Sequence, residues 1–117
     1  MKQSIQVIEK TVNSKLATVR LSDELDRSYS KLTGIAVLDN IGDKGLLSTS
    51  SVEGNELFPK DFEVRFLQSS HSVAPDQRFF TIDREAKGNR IEIEFKDGGQ
   101  APSYPYQLRI YLRLNND

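Results

Sequence analysis

Nine residues near the C-terminal end, Tyr106-Gln107-Leu108-Arg109-Ile110-Tyr111-Leu112-Arg113-Leu114, constrain the fold more than any other stretch. Tyr106, Leu108, Ile110, Leu112 and Leu114 fall on one parity; Gln107, Arg109, Tyr111 and Arg113 fall on the other. Successive side chains of a strand point to opposite faces, so one face is apolar and the other wetted. A helix would scatter the same apolar residues around its circumference. The spacing predicts a central strand of an antiparallel sheet with one side against a core.

Other runs repeat the pattern. Ile91, Ile93 and Phe95 alternate with Glu92, Glu94 and Lys96, and Phe62, Val64 and Phe66 alternate with Glu63 and Arg65. Weaker strand segments are expected over 4–9, 15–21, 46–52 and 79–83, with the first two joined into a hairpin by the turn-forming Asn13-Ser14. Turns are expected at 39–45, at Gly54-Asn55, at Val73–Asp76, at Gly88-Asn89 and at Asp97-Gly98-Gly99-Gln100, the last of hairpin type. Ser22–Arg27 is acidic and poor in strand formers, which suits at most one helical turn capped by Ser22. No internal repeat or low-complexity linker interrupts the 117 residues, so one domain spanning 1–117 is expected. About seven to nine short strands with turns between them point to an all-β fold, a two-sheet antiparallel β-sandwich of jelly-roll or related Greek-key type.

The segment from Tyr29 to Leu38 carries apolar side chains on both parities: Leu32, Ala36 and Leu38 on one, Tyr29, Ile35 and Val37 on the other. Such a strand is buried on both faces or lies at a contact between chains. Gly34 within it signals a bulge or a close backbone approach. A similar surplus recurs at Phe66-Leu67, at Phe79-Phe80 and at Tyr111 beside Leu112. A sandwich needs only one apolar face per sheet. The surplus points to an interface between copies or to lids formed by loops, with Tyr29, Ile35, Val37, Leu67 and Tyr111 as the candidate interface residues.

Composition narrows the chemistry. There is no cysteine, which removes disulfides, thiolate metal sites and cysteine nucleophiles. Sixteen basic and 17 acidic residues leave a net charge of -1, and no basic stripe or like-charge block suggests nucleic acid as a partner. The first residues lack the apolar run of a signal peptide and no stretch reaches membrane-spanning length, so a soluble protein of the cytoplasm or a virion is expected.

Residues with chemical potential have simpler explanations. Glu92 and Glu94 share a strand face and could serve as paired carboxylates, but that face is the solvated one, where Arg109 or Arg113 could pair with them across strands. Asp23, Glu24 and Asp26 lack the glycine-bearing frame of a calcium loop. His71 is the only histidine; it has no triad spacing and no second histidine to make a cupin-like metal site. The expected function is therefore non-enzymatic and cofactor-free: a β-sandwich protomer of a homo-oligomeric assembly, by fold-level analogy a virion capsid, spike or fibre component. The alternative is a module that binds carbohydrate or another small polar ligand, using Tyr104 and Tyr111 as exposed aromatics with Asp97 and Gln100 beside them.

Overall fold

The computed structural model describes residues 3–37, 44–68 and 79–116. Among them run nine strands: β1 (Gln3–Val12), β2 (Thr18–Glu24), β3 (Lys31–Val37), β4 (Leu46–Val52), β5 (Asn55–Glu56), β6 (Phe62–Glu63), β7 (Phe80–Glu85), β8 (Arg90–Lys96) and β9 (Tyr106–Asn115). His71, the Val73–Asp76 turn and positions 38–43 lie outside the described residues. No helix among the described residues is long and apolar enough to cross a membrane.

Strand pairing explains the architecture. β1 pairs with β9, β2 with β8, β3 with β7, and β4 with β5 and β6, all antiparallel. The chain is thus one long antiparallel ribbon with its tip at β4–β6. Rolled up, the ribbon sends alternate pairs into alternate sheets and adds the pairings β3·β9 and β4·β8. The result is two sheets, β1-β9-β3-β7 and β2-β8-β4-β5, which is the jelly-roll form of the two-sheet sandwich.

The core lies between the sheets and is built from period-two faces. β9 buries Tyr106, Leu108, Ile110, Leu112 and Leu114, and β8 buries Ile91, Ile93 and Phe95. β1 adds Ile8 and Val12, β2 Leu21, and β4 Leu47 and Val52. Each fully buried side chain of this kind contributes roughly 1.5–3 kcal/mol of hydrophobic stabilisation. The buried Ser50 hydroxyl accepts from the Phe58 amide at 3.1 Å, so it is not left unpaired.

β3 resolves its own ambiguity with a bulge. Leu32 sits opposite Leu114, Gly34 opposite Arg113 and Ile35 opposite Leu112, so one extra residue is accommodated between Leu32 and Gly34. An extra residue reverses the parity of all that follows. Leu32, Ile35 and Val37 therefore all face the core. Gly34 also permits a close approach: a Cβ there would lie 2.9 Å from Phe79 Cβ and 3.0 Å from Arg113 Cζ.

Several expectations are corrected. β1 and β2 are not a hairpin, because each pairs with a C-terminal strand in a different sheet. Likewise β8 and β9 enter different sheets, so 97–105 is a crossing between sheets and not a hairpin turn. Ser22–Glu24 belongs to β2 and caps no helix. The expected strand over 62–68 stops after Glu63 and becomes a 3-10 turn, Val64–Leu67, which buries Val64 and Leu67 and leaves Phe66 59% exposed. Three residues per turn bring positions i and i+3 to one side, which a period of two does not. The 53–56 turn is centred one residue earlier than expected: Glu53 and Gly54, with φ of 49° and 81°, link Val52 to its partner Asn55. That is the two-residue hairpin geometry requiring positive φ at both central positions.

Candidate functional site

The expected ligand-binding residues separate into two places. Asp97 directly follows β8 and is 1% exposed. Its Oδ1 accepts from the Tyr106 hydroxyl at 2.6 Å. Its Oδ2 accepts from the Tyr104 hydroxyl at 2.6 Å, the Gly99 amide at 2.9 Å and the Leu16 amide at 3.0 Å. The Asp97 amide in turn donates to Ala17 O at 2.9 Å. Burial pushes this carboxyl up, but the donors from Tyr104, Tyr106, Leu16 and Gly99 outweigh it and hold the group below the usual carboxylate range. Burial, and then the bond to Asp97, raise both tyrosine hydroxyls above their ordinary value. Tyr104 and Asp97 are thus brought together, but their polar atoms are spent on one another and on backbone amides. The cluster staples the turn before β2 to the sheet crossing before β9. Gln100 lies exposed on the same loop.

Tyr111 is elsewhere, half-buried on the outer face of the first sheet. It lies directly between Val7 of β1 and Ala36 of β3. Val7 is 45% and Ile5 43% exposed. The row on the outer face thus runs from exposed Val7 through half-buried Tyr111 to Ala36, which is 9% exposed and already covered within the chain. Polar groups flank it. Arg109 is held by Tyr111 and by Glu9, 2.9 Å away, and those contacts raise its pKa. Arg113 donates to Thr33 Oγ1 at 3.1 Å and Thr33 O at 2.9 Å, with its Cζ 5.3 Å from the centroid of Phe79. Lys31 and Asp83 form a pair at 3.4 Å.

Of the expected interface residues, Tyr111 faces outward and Tyr29 is partly buried against the core. Ile35, Val37 and Leu67 are core members, 0%, 5% and 1% exposed. The bulge in β3 and the 3-10 turn take up the apolar surplus within the chain, so these three offer nothing to a second chain in this conformation. Ile5 and Val7 are the exposed apolar side chains of this face. Their signal was present in the sequence: they share the parity of Glu9 and Thr11, opposite to Ile8.

The outer face of the second sheet carries a different surface. Across β2, β8 and β4 the register sets Ser22 beside Glu92 and Glu92 beside Ser51; the adjacent row is Arg20, Glu94, Thr49. Together these line an open hollow of about 500 Å³. Glu94 is bridged by Arg20 at 2.9 Å, so its partner is on β2 and not Arg109 or Arg113 on the other sheet. Among the described residues no three His, Cys, Asp or Glu side chains gather as metal ligands, Asp23, Glu24 and Asp26 included.

Comparison with known protein families, with curated proteins and with solved structures finds no match for this chain. The reading of function rests on the surfaces themselves.

Proposed function

We propose that the protein is a non-enzymatic assembly module, a jelly-roll protomer that associates with copies of itself. The observation that carries this reading is the exposed apolar pair Ile5 and Val7, with half-buried Tyr111 beside Val7, on the solvent face of the first sheet. Aromatic and branched side chains on the outer face of a sheet lose stability to water and regain it against another apolar surface. A second copy is the fitting occupant. A two-fold contact places the same patch on both sides. The rim carries both signs in the pairs Glu9–Arg109 and Lys31–Asp83, so a patch overlaid on itself can set opposite charges across the contact. β1 adds a further reason: Ser4 to Ile8 contains no charge and no proline, the devices that keep an exposed strand from associating. The wider setting, a virion shell, spike or fibre built from repeated protomers, is drawn from analogy of fold.

Light scattering over a dilution series tests the reading. The expected result is an oligomer of constant mass down to low-micromolar protein, converted to monomer by Val7→Glu and by Tyr111→Glu while circular dichroism stays unchanged. Wild-type protein that is monomeric throughout the series overturns it.

A further inference from the structure

We propose that the outer face of β2, β8 and β4 is a binding site for a neutral oligosaccharide, with Glu92 as the central acceptor and Ser22, Ser51, Thr49 and Arg20 around it. The site is independent of the assembly surface, which lies on the opposite sheet.

The geometry is a grid. Strands lie about 4.8 Å apart, and residues two apart on one strand are about 6.7 Å apart. Ser22, Glu92 and Ser51 therefore form one row of polar groups, and Arg20, Glu94 and Thr49 the next, over an open hollow of about 500 Å³. That volume falls in the range of small-molecule sites, roughly 300–1,000 Å³. Donors and acceptors alternate across it: hydroxyl, carboxylate, hydroxyl in one row, guanidinium, carboxylate, hydroxyl in the other.

The chemistry selects the ligand. A phosphate or nucleic acid would meet two carboxylates, and both guanidiniums there are engaged, Arg20 with Glu94 and Arg90 with the Ser22 hydroxyl at 3.0 Å. A cation would find Glu92 alone, because Arg20 neutralises Glu94; one carboxylate does not make a cation site. An apolar partner would find little, since the apolar residues lining the hollow, Leu21 and Ile93, are 4% and 2% exposed. What remains is a ligand whose groups each donate and accept, as vicinal sugar hydroxyls do. Glu92 has no hydrogen bond or ion pair among the described residues, so both its oxygens are available to accept from such hydroxyls. Charge-assisted hydrogen bonds of that kind are the stronger ones. No aromatic ring among the described residues lines the hollow, so recognition is by hydrogen bonds without stacking. Affinity on the order of 1 mM per chain is expected, and repetition of the site in an oligomer would raise it.

The test is a chemical-shift titration of the ¹⁵N-labelled protein with maltohexaose, cellohexaose and mannohexaose, each to about 10 mM. At least one is expected to move the amides of Ser22, Thr49, Ser51 and Glu92 and to leave those of the 97–105 loop in place. Glu92→Ala is expected to weaken binding about tenfold or more, and Glu92→Gln, which keeps one acceptor, to weaken it less. Glu92 is exposed, so neither change threatens the fold. Shifts centred on Tyr104 and Gln100, no shifts with any of the three sugars, or an unchanged affinity in Glu92→Ala would each overturn the proposal. The readout is per chain and holds whether the protein is monomeric or assembled.

Discussion

The Tyr106 hydroxyl donates to Asp97 Oδ1 across 2.6 Å, and no other described donor reaches that oxygen. The second oxygen is served three times over, by Tyr104 and by the Leu16 and Gly99 amides. The two tyrosines are unequal in what their loss leaves behind. Tyr106→Phe strands a buried carboxylate oxygen without a partner; Tyr104→Phe leaves its oxygen with two backbone donors. We expect Tyr106→Phe to cost about 2–3 kcal/mol and Tyr104→Phe distinctly less. Urea denaturation midpoints at neutral pH measure the difference, and equal losses would contradict the asymmetry.

The same carboxylate sets an acid limit. Its folded pKa lies below the ordinary value, so the stability it contributes is complete above the unfolded value of about 3.9 and is lost as pH falls through the folded one. Thermal midpoints should decline below about pH 4, and Asp97→Asn should flatten that decline while lowering stability at neutral pH. The tyrosine hydroxyls act on the other side. With folded pKa values raised, their contribution is complete below about pH 10 and is lost as pH rises beyond it.

Two glycines should differ sharply on substitution. A Cβ on Gly98 would lie 2.4 Å from the backbone carbonyl carbon and oxygen of Lys44, which cannot move without shifting the chain. A Cβ on Gly34 would meet Phe79 Cβ at 2.9 Å, which moves only with its own backbone, and the guanidinium of Arg113 at 3.0 Å, which can swing away. Gly98→Ala is expected to cost about 3 kcal/mol and Gly34→Ala about 1–2 kcal/mol. Denaturant titration of the two variants ranks them, and the reverse order would show that the Lys44 segment yields more easily than the Arg113–Phe79 contact.

Glu92 illustrates what was and was not legible about the candidate sites. Its outward direction follows from its place between Ile91 and Ile93. Its neighbours do not. Ser22 reads locally as a helix cap and Ser51 as part of a weak strand, and only the antiparallel register sets both beside Glu92. Asp97 is the converse case. Asp97-Gly98-Gly99 reads as an exposed turn, and nothing within reach along the chain announces that Tyr106 and the Leu16 amide converge on it from both sides.

The division follows from the range of each interaction. Which side of a strand faces the core is a property of the backbone with a period of two residues, so β8 and β9 are readable as they stand, and the bulge in β3 is announced by Gly34. The all-β class and the central position of the last strand come from the same local pattern. Which strand lies beside which is decided by contacts as distant as Glu9 with Arg109, 100 residues apart. The sequence between them carries no local mark of that pairing. Only the rolled ribbon decides that neighbours in the chain, β1 and β2 or β8 and β9, part into opposite sheets, because each finds its hydrogen-bonding partner in the other half of the chain.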